Sequence, residues 1–154
     1  MLKDTSRTLT YQQAIEGNPE DFKGKVVLDI GCGTGILSIF AARAGAKHVY
    51  AIDNAEIALH AREIVKDNGL SDKITVIKGK IEEVELPFGE GEIDIIVSEW
   101  MGYFLLYESM LDHVLWARDK FLNKKTGKML PDRAQMYVAA IEDSEYRDGK
   151  VNFW

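Results

Sequence analysis

The hydrophobic positions of the chain fall into short apolar runs separated by glycines and polar residues, and the clearest series spans residues 26–53. It opens with V-V-L-D-I, a β-branched and aliphatic run typical of a buried central strand. Glycines at alternate positions follow, and then Ile36 to Ala44, an apolar segment that predicts a helix buried between a sheet and another layer. Lys47 to Ile52 predicts a second strand, which ends on Asp53. Strand, glycine loop, helix and strand together make a βαβ nucleotide-binding unit.

Helical and strand patterns continue on both sides of this unit. Pro19 ends an N-terminal helix because proline cannot continue the backbone hydrogen bonds, and Asn54 is a good N-cap for the helix after the second strand. No closing element is predicted in residues 142–154. The remaining predicted elements are a helix over Met1–Gly17, a helix over Ala55–Asn68, a strand over Ile74–Ile77, a strand over Ile93–Ser98, a helix over Leu111–Leu122, a strand over Lys128–Leu130 and a further strand over Met136–Ile141.

Composition narrows the class of protein without naming a function. The chain has 154 residues, 46% of them apolar and 29% charged, which is ordinary for one globular domain. Its net charge of −6 and the lack of a basic run argue against nucleic acid as the main partner. Cys32 is the only cysteine, which indicates a reducing compartment. With no signal peptide and no membrane-length apolar run, we expect a cytoplasmic or nuclear protein that does not contact a membrane.

The glycine loop and the acid at the end of the second strand are the first candidate site. Glycines let the backbone turn sharply and approach a ligand, and Asp53 is placed to accept two hydrogen bonds from a ribose diol. A dinucleotide loop would carry glycine or alanine at position 36, where Ile36 stands, so a nicotinamide oxidoreductase is disfavoured. The alternative is a tight turn with a capped helix and no ligand. His48, His60 and His113 are scattered without metal spacing, so no metal site is expected.

Two motifs resemble those of a known family. The loop D-I-G-C-G-T-G, residues 29–35, resembles motif I of the class I S-adenosylmethionine-dependent methyltransferases. The stretch S-E-W-M-G-Y-F-L-L-Y-E-S-M-L, residues 98–111, closely resembles the double-E loop of the protein arginine N-methyltransferases, and M-L-K-D-T-S-R-T, G-K-I-E-E and L-P-D-R extend the match over nearly the whole chain. The resemblance implies a Rossmann-like α/β fold with a mostly parallel central sheet of about five strands, in the order 3-2-1-4-5, and helices on both faces.

The same resemblance implies a site, with S-adenosylmethionine as cofactor, S-adenosylhomocysteine as its product and no metal. Arg7 would pair with the carboxylate of the methionine moiety, and Asp29 would lie near that moiety. Asp53 would hold the ribose, while Ile81 and Glu82 would frame the adenine. The other assignments are cofactor contacts at Gly31, Cys32, Gly33 and Gly35, a grip on the substrate guanidinium by Glu99 and Glu108, and flanking of the target nitrogen by Met1 and Met110.

The residues themselves leave alternatives open at several of these positions. Arg7 can equally be a solvated helix charge, and Glu82 a solvated acid in an acidic run. Of the paired acids Glu99 and Glu108, one can cap the first turn of the following helix while the other is exposed to solvent. Cys32 is interpreted as a small filler, since no activating base for a nucleophile is identifiable.

The family resemblance also sets an expectation for the organisation and activity of the protein. Residues 1–133 would form the cofactor-binding domain with its N-terminal helix, and residues 134–154 the start of a following β-barrel that is missing. We expect the catalytic domain of a protein arginine N-methyltransferase acting on Arg/Gly-rich or histone-like proteins. Its full-length parent would be a homodimer, and the isolated chain weakly active or inactive. The alternatives are a catalytically silent cofactor-binding regulatory module and a methyltransferase for another substrate.

Overall fold

The computed structural model describes residues 2–152 and is built on one parallel sheet. Its five strands lie in the order β3-β2-β1-β4-β5, which confirms the predicted order and fold class. At the centre, Val27 of the first strand pairs with Val49 on one side and with Ile95 on the other. The strands are β1 Val26–Ile30, β2 His48–Asp53, β3 Ile74–Lys78, β4 Ile95–Val97 and β5 Lys128–Leu130.

Helices cover both faces of the sheet, as predicted. The strand residues on the same face of the sheet as Val27 pack in a core with α1, α3 and α4. Leu28 and Ile96 lie on the other face and pack in a second core with α5. This arrangement explains why β1 reads as a continuous apolar run, since a central parallel strand is buried on both sides. The helices are α1 Thr5–Glu16, α2 Pro19–Phe22, α3 Ile36–Arg43, α4 Ile57–Asp67, α5 Leu111–Phe121 and α6 Ser144–Tyr146, followed by a π-helical turn over Arg147–Val151.

Side-chain caps and turns set several boundaries differently from the sequence prediction. Helix α1 begins at Thr5 and not at Met1, because the Asp4 carboxylate accepts a hydrogen bond from the Arg7 backbone N–H at 3.0 Å. Asn54 does not cap α4, which begins two residues after the predicted start at Ala55; no side chain caps its first turn. Strand β4 is half the predicted length and covers only residues 95–97.

The predicted strand Met136–Ile141 is wrong. These residues run without regular structure and their side chains are largely exposed, with Val138 at 96% of its free accessibility. A strand needs a partner for its backbone groups, and none pairs with this segment within residues 2–152. The expectation of no closing element is also wrong, since α6 and the π-helical turn lie in this region. The assignment of residues 134–154 to a following domain stays a prediction.

Across residues 2–152, no helix combines the length and the hydropathy that a membrane span requires.

Candidate functional site

A cavity of about 980 Å³ lies where the parallel strands end, at the edge of the sheet that binds ligands in folds of this type. Most of the predicted site residues line it, together with Lys80 and His113. Arg7, Asp29 and Gly35 lie outside its wall, and Met1 lies outside the described residues. The predicted residues in the wall are Gly31, Cys32, Gly33, Asp53, Ile81, Glu82, Glu99, Glu108 and Met110.

The glycine loop joins β1 to α3 through left-handed backbone. Gly31, Gly33 and Gly35 have φ values of 71°, 54° and 82°, which residues with a Cβ rarely adopt. A Cβ at position 31 would also collide with the terminal methyl of Met110. Burial raises the pKa of the Cys32 thiol, and the Asp29 and Asp53 carboxylates raise it further, so this cysteine stays protonated and is not a nucleophile.

Asp53 ends β2 and fixes the glycine loop. Its Oδ2 accepts a hydrogen bond from the Gly33 N–H, and its Oδ1 accepts one from the Ala55 N–H, both at 2.8 Å. A carboxylate has about four acceptor positions, so two remain for a ligand on the cavity side. The side chain is therefore held in place by the backbone and still able to bind a diol.

Asp29 lies behind the loop and is completely buried. Its Oδ2 accepts a hydrogen bond from the Ser38 hydroxyl at 2.6 Å, whereas its Oδ1 has no partner among the described residues. Burial raises the pKa of Asp29 to about 7, and the hydrogen bonds from Ser38 only partly oppose this shift. Because it is not part of the cavity wall, Asp29 would act on a bound ligand through the loop that it supports.

Glu99 follows β4 and is anchored by hydrogen bonds to the preceding residue. The Ser98 hydroxyl donates to the Ile30 carbonyl at 2.7 Å, and the Tyr11 hydroxyl donates to the Ser98 carbonyl at 3.0 Å. The Glu99 carboxylate forms an ion pair with Arg7, with 3.1 Å between Nη1 and Oε1. Sequence reasoning assigned Arg7 to the cofactor and missed this contact.

Glu108 lies on the loop between β4 and α5 and faces the same cavity as Glu99. Burial raises the pKa of Glu99, the charge of Arg7 opposes this shift, and the charge of Glu108 adds to it. Gly102 packs under Glu108, and a Cβ there would lie 2.6 Å from its Cγ. The alternative is wrong in that neither acid caps the start of α5, whereas Glu108 is exposed, as that alternative expects for one of the two acids.

Ile81, Glu82 and His113 form another part of the cavity wall. Ile81 is buried, and the Glu82 carboxylate is in direct contact with Nδ1 of His113 in the first turn of α5. Glu82 is thus a paired acid within the cavity. Sequence reasoning missed His113 because it looked for metal spacing; its position just after the double-E loop was the signal available. Within residues 2–152, no cluster of three or more His, Cys, Asp or Glu side chains is arranged to hold a metal ion.

The fold and the cavity define a class I methyltransferase domain, and residues 8–115 match the family model for Ribosomal protein L11 methyltransferase (PrmA). Over its whole length the chain is 61% identical to Protein arginine N-methyltransferase 1 of Schizosaccharomyces pombe and 59% identical to that of Chlamydomonas reinhardtii, each match covering 44% of the relative. The chain belongs to the protein arginine N-methyltransferase family.

Comparison with solved structures agrees with this assignment. The Trypanosoma brucei PRMT1 enzyme-prozyme heterotetrameric complex with AdoHcy superposes with a TM-score of 0.91 and 56% sequence identity. The match covers 100% of this chain and 47% of that chain. The chain therefore spans less than half the length of each of these three relatives.

Proposed function

We propose that the chain is the S-adenosylmethionine-binding catalytic domain of a protein arginine N-methyltransferase, which transfers a methyl group to a guanidinium nitrogen of arginine in a protein substrate. The observation that carries the proposal is the convergence of two acids, Glu99 and Glu108, on a cavity that also contains the glycine loop and Asp53. Glu99 and Glu108 would hold the cationic arginine, and the glycine loop and Asp53 would hold the nucleoside of the cofactor. The methyl donor and the methyl acceptor would therefore meet in one cavity.

The residues present fit the proposed cofactor. Gly33 leaves open space beside the backbone where a side chain would otherwise stand, whereas the space beside Gly31 is filled by Met110. Asp53 has free acceptor positions for the ribose, and Ile81 supplies buried apolar surface for a purine. Glu82 offers a carboxylate at the same end. When bound, the cofactor supplies an electrophilic methyl group on a positively charged sulfur.

The paired acids have a definite electrostatic task in this proposal. The methyl donor and the arginine acceptor are both cations, which at about 4 Å and an effective dielectric near 20 repel each other by about 4 kcal/mol. Glu99 and Glu108 would offset this repulsion and hold one edge of the guanidinium through charge-assisted hydrogen bonds. Drawing positive charge to that edge leaves the other terminal nitrogen better able to attack the methyl group. Since guanidinium does not give up its proton before the attack, orientation and charge placement would supply much of the catalysis. As the N–C bond forms and the S–C bond breaks, S-adenosylhomocysteine would leave and the methylated nitrogen would release one proton to solvent.

Arg7 contacts one of the two paired acids. Its guanidinium is shared between Glu99 at 3.1 Å and Asp4 at 3.2 Å. A substrate arginine that binds Glu99 would compete for the same carboxylate. We propose that Arg7 then turns to the carboxylate of the cofactor, so that occupation of the donor site releases Glu99 for the acceptor.

Transfer of a radiolabelled methyl group to an Arg/Gly-rich peptide tests the proposal directly. The assay is run on the chain and on a full-length parent, because the chain covers 44% of its first curated relative. Labelled methylarginine in the peptide is the expected product. Cofactor binding without transfer by the full-length parent would instead identify a silent regulatory module, and transfer only to a metabolite pool would identify another substrate.

Asp53→Ala should weaken the binding of S-adenosylhomocysteine by about a hundredfold, since it removes charged acceptors for two ribose hydroxyls. Isothermal titration calorimetry measures the dissociation constant, and circular dichroism checks that the variant is folded. Asp67→Ala, at the exposed end of α4, is the control and should bind like the wild type. Equal affinities for the wild type and Asp53→Ala would remove the ribose assignment.

Gly102→Ala should reduce methyl transfer by about a hundredfold while leaving S-adenosylhomocysteine affinity nearly unchanged. The new Cβ would lie 2.6 Å from Cγ of Glu108 and displace that carboxylate, and a shift of about 1 Å is enough for such a loss. Gly89→Ala is the matched control, because its Cβ would meet Glu92 only at an ordinary 3.8 Å. A wild-type transfer rate for Gly102→Ala would argue against a role for Glu108 in holding the substrate.

The same proposal extends to partners. The acidic cavity suits positively charged Arg/Gly-rich or histone-like segments, and the Trypanosoma brucei relative is described as a heterotetrameric complex. We propose that the full-length parent is at least dimeric and works in the cytoplasm or the nucleus.

A further inference from the structure

The contact between Glu82 and His113 joins two parts of the chain at one end of the cavity. Glu82 lies on the loop after β3, and His113 is the third residue of α5. Both line the cavity, and Oε1 of Glu82 is in contact with Nδ1 of the imidazole. The other ring nitrogen, Nε2, has no hydrogen-bonding partner among residues 2–152.

This contact fixes the tautomer of the histidine. Although burial raises the pKa of Glu82, the hydrogen bonds that its carboxylate accepts from His113 and from the backbone, together with the charge of Lys80, lower it, so the carboxylate is ionised and can only accept. The hydrogen between the two groups must therefore sit on Nδ1. In a neutral imidazole Nε2 then carries a lone pair and is an acceptor. This end of the cavity consequently offers two kinds of acceptor, the imidazole Nε2 and the free oxygen of Glu82.

We propose that His113, held in its Nδ1–H tautomer by Glu82, determines which purine the cofactor carries: its Nε2 accepts a hydrogen bond from an exocyclic amino group and disfavours a 6-oxopurine. The inference rests on the proposed function in requiring a purine nucleoside in this cavity. It adds a residue that sequence reasoning left unassigned. A site that hydrogen-bonds a polar group of its ligand discriminates strongly against an analogue with the opposite donor and acceptor pattern.

The test compares S-adenosylhomocysteine with S-inosylhomocysteine, which differ at the 6-position of the purine. Calorimetric titration of the chain at about pH 8 should show at least tenfold tighter binding of the adenosyl compound. His113→Phe keeps a ring of similar size without Nε2 and should lose this preference. His60→Phe, at an exposed position on α4, is the control and should keep the wild-type ratio.

A second readout observes the tautomer itself. With histidines labelled with nitrogen-15, NMR shifts of His113 at about pH 8 should report Nδ1–H in the wild type, and Glu82→Gln should abolish this preference. Selectivity that survives in His113→Phe, or an Nε2–H tautomer in the wild type, would overturn the inference. If adenosyl binding nevertheless depends on Asp53, the proposed function stands; if neither compound binds the full-length parent, both proposals fail.

Discussion

Glu99→Gln should lower methyl transfer to an Arg/Gly-rich peptide by a factor of about 10² to 10³. Glutamine keeps the size of the side chain but removes the negative charge that faces two cations, and loss of one such preorganised electrostatic contact costs this much in other enzymes. The measurement is single-turnover transfer by the full-length parent with cofactor and peptide both saturating, so that a change in affinity does not obscure the chemical step.

The matched control for this substitution is Glu90→Gln, in an exposed turn away from the cavity. It should transfer methyl groups at the wild-type rate. Binding of S-adenosylhomocysteine to Glu99→Gln should change by only a few-fold, since Arg7 keeps Asp4 as a partner. Full activity of Glu99→Gln would show that this carboxylate does not hold the guanidinium, and the arginine assignment would then have to be abandoned.

Asp29→Asn should flatten the pH dependence of folding stability. The pKa of Asp29 is raised from 3.8 to about 7 in the folded chain by burial, so the folded protein keeps a proton that the unfolded protein releases. The stability contributed by this group is complete below the unfolded pKa and is lost as the pH rises through the folded pKa. At about 1.4 kcal/mol per pKa unit, the wild type should lose about 4 kcal/mol between about pH 4 and pH 7.

Urea unfolding at a series of pH values and constant ionic strength measures this effect as a difference in slope. The difference in free energy of unfolding, Asp29→Asn minus wild type, should rise by about 4 kcal/mol over the same pH window. Any destabilisation by the amide itself does not depend on pH and leaves this rise unchanged. Asp67→Asn, an exposed replacement on α4, should follow the wild-type profile. Parallel profiles for Asp29→Asn and the wild type would mean that Asp29 is already charged in the folded chain.

The central part of the fold was predictable because its signals are local. The V-V-L-D-I run and the glycine loop specify β1 and the turn into α3, and Asp53 lies at the end of its strand as predicted. The order of the strands came from family resemblance. The segment 136–141 has the composition of a strand, but composition does not reveal whether a partner strand is present.

The candidate site was predictable residue by residue but not contact by contact. Local motifs identified Glu99, Glu108 and Asp53, which line one cavity. The pair between Arg7 and Glu99 joins residues 92 positions apart, and the pair between His113 and Glu82 joins residues 31 positions apart. Such contacts depend on how layers of the fold stack, and no spacing rule within a single sequence reports them.

The packing of Met110 against Gly31 has a structural consequence. Only a hydrogen stands on the Cα at position 31, and the methionine methyl occupies the room that a larger residue would need. Gly31 belongs to the loop assigned to the methyl donor, and Met110 lies two residues beyond an acid assigned to the acceptor. A single flexible thioether thus lies against the glycine loop, and a bulkier residue at position 31 would displace Met110 and, through the chain, disturb the loop that carries Glu108.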